Sequence, residues 1–126
     1  MEKVKLFIGI IVNNDYTPSF EASRYISRVL NNLKIKNKFL SLDDLIKNNF
    51  NCDLVFNVYY GDFGDGGIIS GILKTNKINF IGNSQYVSSL MLNKIISKKI
   101  FKKHGFNTPN FWYLPNFNKS ILDYKK

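Results

Sequence analysis

Three observations predict an α/β protein built on a parallel sheet with helices on both faces. Short apolar, β-branched runs recur along the chain, as in "KVKLFIGIIV" (3–12) and "CDLVFNVYY" (52–60). Stretches whose apolar residues follow the helical period alternate with them, and such alternation implies right-handed crossovers within one sheet. The run at 52–60 passes directly into a glycine-rich turn that opens the next helix, as strands of open parallel sheets do at their carboxyl ends.

The elements follow in order. The run at 3–12, with Gly9 inside it, reads as a buried first strand. Thr17-Pro18 reads as a helix N-cap followed by proline at the first helical position, with Glu21 near the positive end of the helix dipole. Ala22, Ile26, Val29, Leu30 and Leu33 mark the buried face of that helix, which ends near Leu33. "NKFLSL" (37–42) is a second strand, and "DDLIKNN" a short helix capped by Asp43 or Asp44. The third strand is 52–60. Beyond the glycines, "IISGILKTN" is a helix and "INFIG" (78–82) a fourth strand. "SSLMLNKIISKKIFKKHGF" is one long or broken helical stretch stopped at Gly105, and Thr108-Pro109 leads into a strand at "NFWYL" (110–114).

Composition narrows the function. A chain of 126 residues, 44% hydrophobic and 21% charged, is about one domain long and can bury roughly two-thirds of its unfolded surface. It has no apolar run long enough to span a bilayer and no signal peptide, so the expected location is the cytoplasm and no membrane partner is expected. The one cysteine, Cys52, precedes "LVF" and reads as a small packed residue rather than a nucleophile. The net charge of +9 is spread along an Asn/Lys-rich chain. Without stacked aromatics, zinc spacing or a helix-turn-helix pattern, it does not indicate nucleic acid. The densest basic cluster, Lys94, Lys98, Lys99, Lys102 and Lys103, reads first as the solvated side of a helix whose other side carries Leu92, Ile95, Ile96 and Ile100.

The glycine turn is Gly61-x-x-Gly64-x-Gly66-Gly67, neither the dinucleotide fingerprint nor a P-loop. Glycines here permit positive φ, let backbone or ligand approach closely, and leave N–H groups free at the next helix. A tight strand-to-helix turn would need the same residues.

In order and without large gaps, "DLVFNVYYGDFGDGGIISGIL", "INFIGNS" and "SSLMLNKIISKKIFKKHGFNTPNFWYL" resemble the D-alanine-D-alanine ligase family of ATP-grasp enzymes over residues 53–114. That family has a strand ending Phe-Asn, a His-Gly turn with Gly-Glu-Asp-Gly, a Tyr-Thr-Gly-Ser segment, a Met-Asp-Lys helix and Gly-x-Pro-Thr-Pro. The resemblance places the His-Gly on Tyr60-Gly61, which it implies is the catalytic turn, and the Gly-Glu-Asp-Gly on Gly64-Asp65-Gly66-Gly67, with Gly64, Asp65 and Gly67 against substrate. Phe80-Ile81-Gly82-Asn83 stands where Tyr-Thr-Gly-Ser is usual, and Leu92-Asn93-Lys94 where Met-Asp-Lys is usual, which assigns Lys94 to ATP phosphate.

The resemblance implies a Rossmann-like pre-ATP-grasp domain over 1–91 and the beginning of the ATP-grasp central domain over 92–126. It implies amide-bond formation between amino-acid substrates through an acyl phosphate, as in peptidoglycan precursor synthesis, with ATP and magnesium, and a possible homodimer. The family's magnesium ligands, Glu and Asn, fall in a further domain, so no metal ligand is assigned here; the chain is expected to be a piece of a longer enzyme and inactive alone. Two departures bear on substrate. The family's Gly-Gly and Ser-x-Glu-x-Glu-Val-Ser segment, whose first Glu holds the amino group of D-alanine, is replaced by "GIIVNNDYTPSFEAS", where Glu21 is the candidate for that contact and Asp15 the other nearby carboxylate. Tyr60 replaces the histidine. A ligase for another amino acid and a non-catalytic binding module are the alternatives.

Overall fold

The structure, a computed structural model, describes residues 6–112. The chain divides between Leu92 and Asn93 into two compact units. The first contains β1 (Phe7–Ile11), α1 (Thr17–Asn32), β2 (Lys36–Leu40), α2 (Leu42–Ile46), β3 (Leu54–Asn57), α3 (Asp62–Asp65), α4 (Ile68–Thr75), β4 (Phe80–Ile81) and α5 (Gln85–Leu92); the second contains α6 (Lys94–Lys103).

The four strands form one parallel sheet in the order β2-β1-β3-β4. Ile11 is in register with Leu40 on one side and Asn57 on the other, and Val55 with Phe80. Because side chains alternate along a strand, β1 feeds two cores. Ile8 and Ile10 join Leu54 and Phe56 under Ala22, Ile26 and Leu30 of α1. Ile11, Leu40 and Val55 lie on the opposite face under Leu45 of α2 and Ile69 and Leu73 of α4. Helices therefore cover both faces, as the alternation predicts. Each fully buried aliphatic side chain contributes about 1.5–3 kcal/mol. Gly9 points into the second core, where a Cβ would collide with Leu40 and lie 3.0 Å from the Cys52 sulfur.

Local readings are corrected in four places. The N-cap of α1 is Tyr16, without a side-chain cap bond, and Glu21 lies beyond the first turn, which has no acidic residue. Val29 and Leu33 are exposed, at 39% and 63%, while Ser19 and Ser23 are fully buried. The contact stripe of α1 thus begins at its small residues, where the first turn bonds the Val58 carbonyl just beyond β3. The cap of α2 is Ser41: its hydroxyl accepts the Asp44 N–H at 3.1 Å, while Asp44 accepts the Ser41 N–H at 2.8 Å. The Ser41 hydroxyl also donates to the Asp44 carboxylate at 2.6 Å, and this bond, with the one from the Ser41 N–H, holds the Asp44 carboxyl below its usual range. Residues 110–112 form no strand, and 113–114 lie outside the described residues.

The helical stretch near residue 93 is broken. Asn93 is extended and caps α6, its side-chain oxygen accepting the N–H groups of Ile95 and Ile96 at 3.1 and 3.2 Å. At the other end of α6 the Gly105 N–H reaches the Lys102 carbonyl at 3.2 Å and the Phe106 N–H the Phe101 carbonyl at 2.9 Å, with Gly105 at φ 78°. This is a Schellman ending, closed by the Phe101 and Phe106 rings at 6.1 Å.

The same ending closes α1 and α4 without glycine. Lys34 and Lys77, both at φ 57°, stand at the left-handed position, and Ile35 and Ile78 return their N–H groups to Leu30 and Leu73 at 2.9 Å. The apolar residue that completes each cap is also the one that leads into the next strand and its core. A left-handed residue with a Cβ costs about 1–2 kcal/mol, part of which glycine loses again through unfolded-chain entropy. Lys34→Gly and Lys77→Gly should each raise stability by up to about 1 kcal/mol in urea denaturation; a loss of stability in both would contradict this account of the turns.

Candidate functional site

α1 leaves β1 towards β2 on one side, and β3 lies on the other side of β1, so the chain direction reverses between β1 and β3. Ligands of open parallel sheets occupy the crevice at the carboxyl ends of the strands flanking such a reversal. Here the crevice lies between residues 12–16 and 58–61.

Buried hydrogen bonds hold the two sides together. The Ser19 hydroxyl, fully buried, donates to the Val58 carbonyl and accepts the Asn13 N–H at 3.0 Å. Val58 in turn donates its N–H to Ile11 at 3.1 Å, extending the β1–β3 pairing. Above this tie the rings of Tyr16 and Tyr60 meet edge to face, centroids 5.8 Å apart and planes at 75°. Both rings are roughly half exposed, at 48% and 41%. Tyr59 turns the opposite way, into the α4-side core, and its ring meets Phe63 at 6.2 Å.

The glycine loop is shaped by what its glycines touch. Gly61, at φ 96°, begins α3 and has open space where a Cβ would be. A Cβ on Gly64 would overlap the Tyr59 carbonyl. Gly67, at φ 86°, begins α4, and a Cβ there would lie 2.8 Å from the Gln85 carbonyl oxygen and 2.9 Å from its Cα; one on Gly71 would lie 2.7 Å from the Gln85 amide oxygen. The loop thus packs against the end of its own strand and the first turn of α5. Asp65 folds back on the turn, its carboxylate accepting the Gly61 N–H at 2.9 Å. Tyr60, Gly61, Gly64, Asp65 and Gly67 therefore form one constellation.

Glu21 is exposed on the second turn of α1, and no hydrogen bond or ion pair among the described residues joins it to the loop. Lys94 is the first residue of α6, exposed, and in no ion pair among the described residues. Burial pushes the Cys52 thiol up, which leaves it a packed residue rather than a nucleophile. Sequence reading missed Tyr16 and Ser19. The available signal was an aromatic and a small polar residue one turn apart at the start of a helix directly after the first strand.

Among the described residues no group of three or more His, Cys, Asp or Glu could hold a metal ion, and no helix is long and apolar enough to cross a membrane.

A parallel sheet reversed at β1/β3, with a glycine loop at that reversal, has the architecture of the pre-ATP-grasp domain. No family model matches the chain. Two curated relatives are D-alanine-D-alanine ligases. That of Pelagibacter ubique is 32% identical over 118 residues, 88% of this chain and 38% of the relative. That of Carboxydothermus hydrogenoformans is 39% identical over 61 residues, 48% of this chain and 20% of the relative. The crystal structure of D-alanine-D-alanine ligase from Bacillus anthracis superposes with a TM-score of 0.72 at 25% identity, covering 92% of this chain and 42% of that one. A second structure of that ligase, complexed with ATP, superposes at 0.75 with 24% identity, covering 96% and 43%. Over most of its length this chain is homologous to D-alanine-D-alanine ligases, and it spans less than half the length of these relatives.

Two stability measurements test the site's construction. Ser19→Ala leaves the Val58 carbonyl and Asn13 N–H without their buried partner and should cost about 1–3 kcal/mol. Gly64→Ala and Gly67→Ala meet backbone atoms and should each cost more than Gly61→Ala, where only left-handed strain of roughly 1–3 kcal/mol applies. Equal losses at all three glycines would show that close packing does not set the loop.

Proposed function

We propose that this chain forms the substrate-facing part of an ATP-dependent carboxylate-amine ligase of the D-alanine-D-alanine ligase type. Residues 1–91 would be its pre-ATP-grasp domain and 92–126 the beginning of its central ATP-grasp domain. The observation that carries this reading is the glycine loop at the β1/β3 reversal, in a chain 32% identical over 118 residues to such a ligase. Its expected setting is the cytoplasmic synthesis of peptidoglycan precursors, as a possible homodimer.

When bound, ATP supplies the phosphoryl group that activates a substrate carboxylate towards an amine. The residues of this chain contribute positioning. Tyr60 stands at the mouth of the crevice, Gly64 and Gly67 keep the loop low enough for substrate to approach, and Asp65 holds the Gly61 turn closed. Lys94 offers an exposed cation, unpaired among the described residues and suited to phosphate. Glu21 would meet a substrate amine only from outside the first turn of α1. The described residues do not fit magnesium, since no three or more His, Cys, Asp or Glu among them converge to hold it.

Tyr60 in the histidine position favours a second reading, an ATP-grasp ligase for a different amino acid. Comparing D-alanine with other amino acids as substrates separates the two.

The test of the ligase reading uses a protein that carries this chain together with the remaining ATP-grasp domains. Lys94→Ala should lower ATP-dependent ligation at least about tenfold, equivalent to about 1.4 kcal/mol, the scale of a lost charge-assisted contact. Lys99→Ala and Lys103→Ala should change it little, as exposed residues of the same helix. If the three variants behave alike, Lys94 has no phosphate role.

A further inference from the structure

The charges of the first unit are sorted along the strand axis. Residues 12–16, 58–67 and 82–84 and the first turn of α2, all at the carboxyl ends of the strands, carry Asp15, Asp43, Asp44, Asp62 and Asp65 and no lysine or arginine. The turns at the opposite ends, 33–35 and 76–79, hold Lys34 and Lys77, while Lys47 reaches back from the end of the short helix α2 to Asp43 at 2.7 Å. Asp53 also lies at the opposite ends, its carboxylate occupied by the Phe7 N–H at 2.7 Å. In a chain of net charge +9, five of the nine acidic residues thus lie at the carboxyl ends of the strands, three of them, Asp15, Asp62 and Asp65, next to the crevice, while Asp43 is neutralised by Lys47. Asp43 pairs with Lys47, Asp44 caps α2 and Asp65 holds Gly61, but neither Asp15 nor Asp62 accepts a hydrogen bond from a described residue.

The tyrosine corner is an independent observation. Two half-exposed rings at 75° form perpendicular walls, and the faces of tyrosines carry negative potential that attracts cations. Among the described residues the chain's own cations stack on phenylalanines: Arg24 on Phe20 at 5.7 Å, Lys36 and Lys38 on Phe7 at 4.4 and 5.8 Å, and Lys98 on Phe111 at 5.1 Å. None stacks on Tyr16 or Tyr60. The backbone beneath the corner is fixed by the Ser19 tie, so the walls are preorganised rather than assembled by the ligand.

We propose that Tyr16 and Tyr60 form an ammonium-binding corner at the β1/β3 crevice, which selects the amine-bearing group of a small-molecule substrate by cation–π contact in the field of the surrounding aspartates. The proposal deepens the ligase reading and rests on it for the amino-acid nature of the substrate. It makes Tyr16, which the family resemblance does not mark, a specificity-determining residue. The attraction comes from ring faces and from loop charges that stay solvated. Aromatic walls suit this use because they bind a cation without the desolvation cost of a buried carboxylate.

The test reads binding to the chain itself and does not depend on ligation. The probes are choline and its neutral isostere 3,3-dimethyl-1-butanol, titrated while the ring resonances of Tyr16 and Tyr60 are followed by NMR. Choline should shift both rings and half-saturate at a concentration at least about fivefold below that of the alcohol, as expected for a cation–π contact at a part-exposed site. Tyr60→Phe should keep that preference, and Tyr16→Leu and Tyr60→Leu should each abolish it; the exposed positions of both rings make these variants compatible with folding, which their amide spectra would check. Equal titration by choline and the alcohol would reduce the corner to an apolar surface and overturn the proposal, as would choline leaving either ring unmoved. A choline preference that survives in a protein carrying this chain and the remaining ATP-grasp domains but showing no ATP-dependent ligation of any amino acid would remove the ligase reading and leave the corner standing.

Discussion

Everything in the first unit depends on β1 being buried on both faces. Ile10 and Ile11 are adjacent in sequence, fully buried, and committed to opposite cores. A strand in that position needs helices on both sides, which obliges the chain to turn one way for α1 and the other for α2 and α4. The reversal this creates opens a crevice between the carboxyl ends of β1 and β3. The location of the candidate site is thus a topological result of satisfying the hydrophobic surface of five residues, before any functional side chain is considered.

The glycine loop then has two demands to meet at the same place. It must turn the chain from β3 into α3 and α4, and it must pass under α5 with almost no clearance. Gly64 and Gly67 answer the second demand, since their missing side chains are replaced by the Tyr59 carbonyl and the Gln85 backbone. Gly61 answers the first through its φ of 96° alone. Close packing inside the domain is therefore sufficient reason for most of these glycines, and it is also what leaves Tyr60 projecting at the crevice with its backbone held. Structural and functional uses of the loop are the same physical arrangement.

Charge follows the same axis. The helices that follow the strands begin at their carboxyl ends, where Asp43 and Asp44 of α2 and Asp62 and Asp65 of α3 oppose the positive ends of those dipoles, and Lys74 stands in the last turn of α4 at the far side. The polarity that suits helix dipoles therefore also gives the crevice a field opposite in sign to the net charge of the whole chain.

What the sequence determined by itself was decided over short distances. Alternating apolar runs and helical periods specified a parallel α/β sheet with the third strand ending in a turn, because side-chain periodicity is a property of consecutive residues. Gly105 marked its helix end for the same reason, since glycine is the residue that adopts positive φ without strain. The motif order from Asp53 to Leu114 carried the ligase resemblance, and homology over most of the chain bears it out. The endings at Lys34 and Lys77 were illegible because a lysine at positive φ is tolerated only when the following isoleucine finds a core, which is a tertiary condition. The burial of Ser19 and Ser23 in preference to Val29 and Leu33 likewise depends on how α1 lies over the sheet, its first turn bonded to Val58. The meeting of Tyr16 with Tyr60, 44 positions apart in the numbering, required β1 and β3 to become neighbours. Those facts belong to the tertiary structure alone, because each is set by the distance between elements that no local pattern encodes.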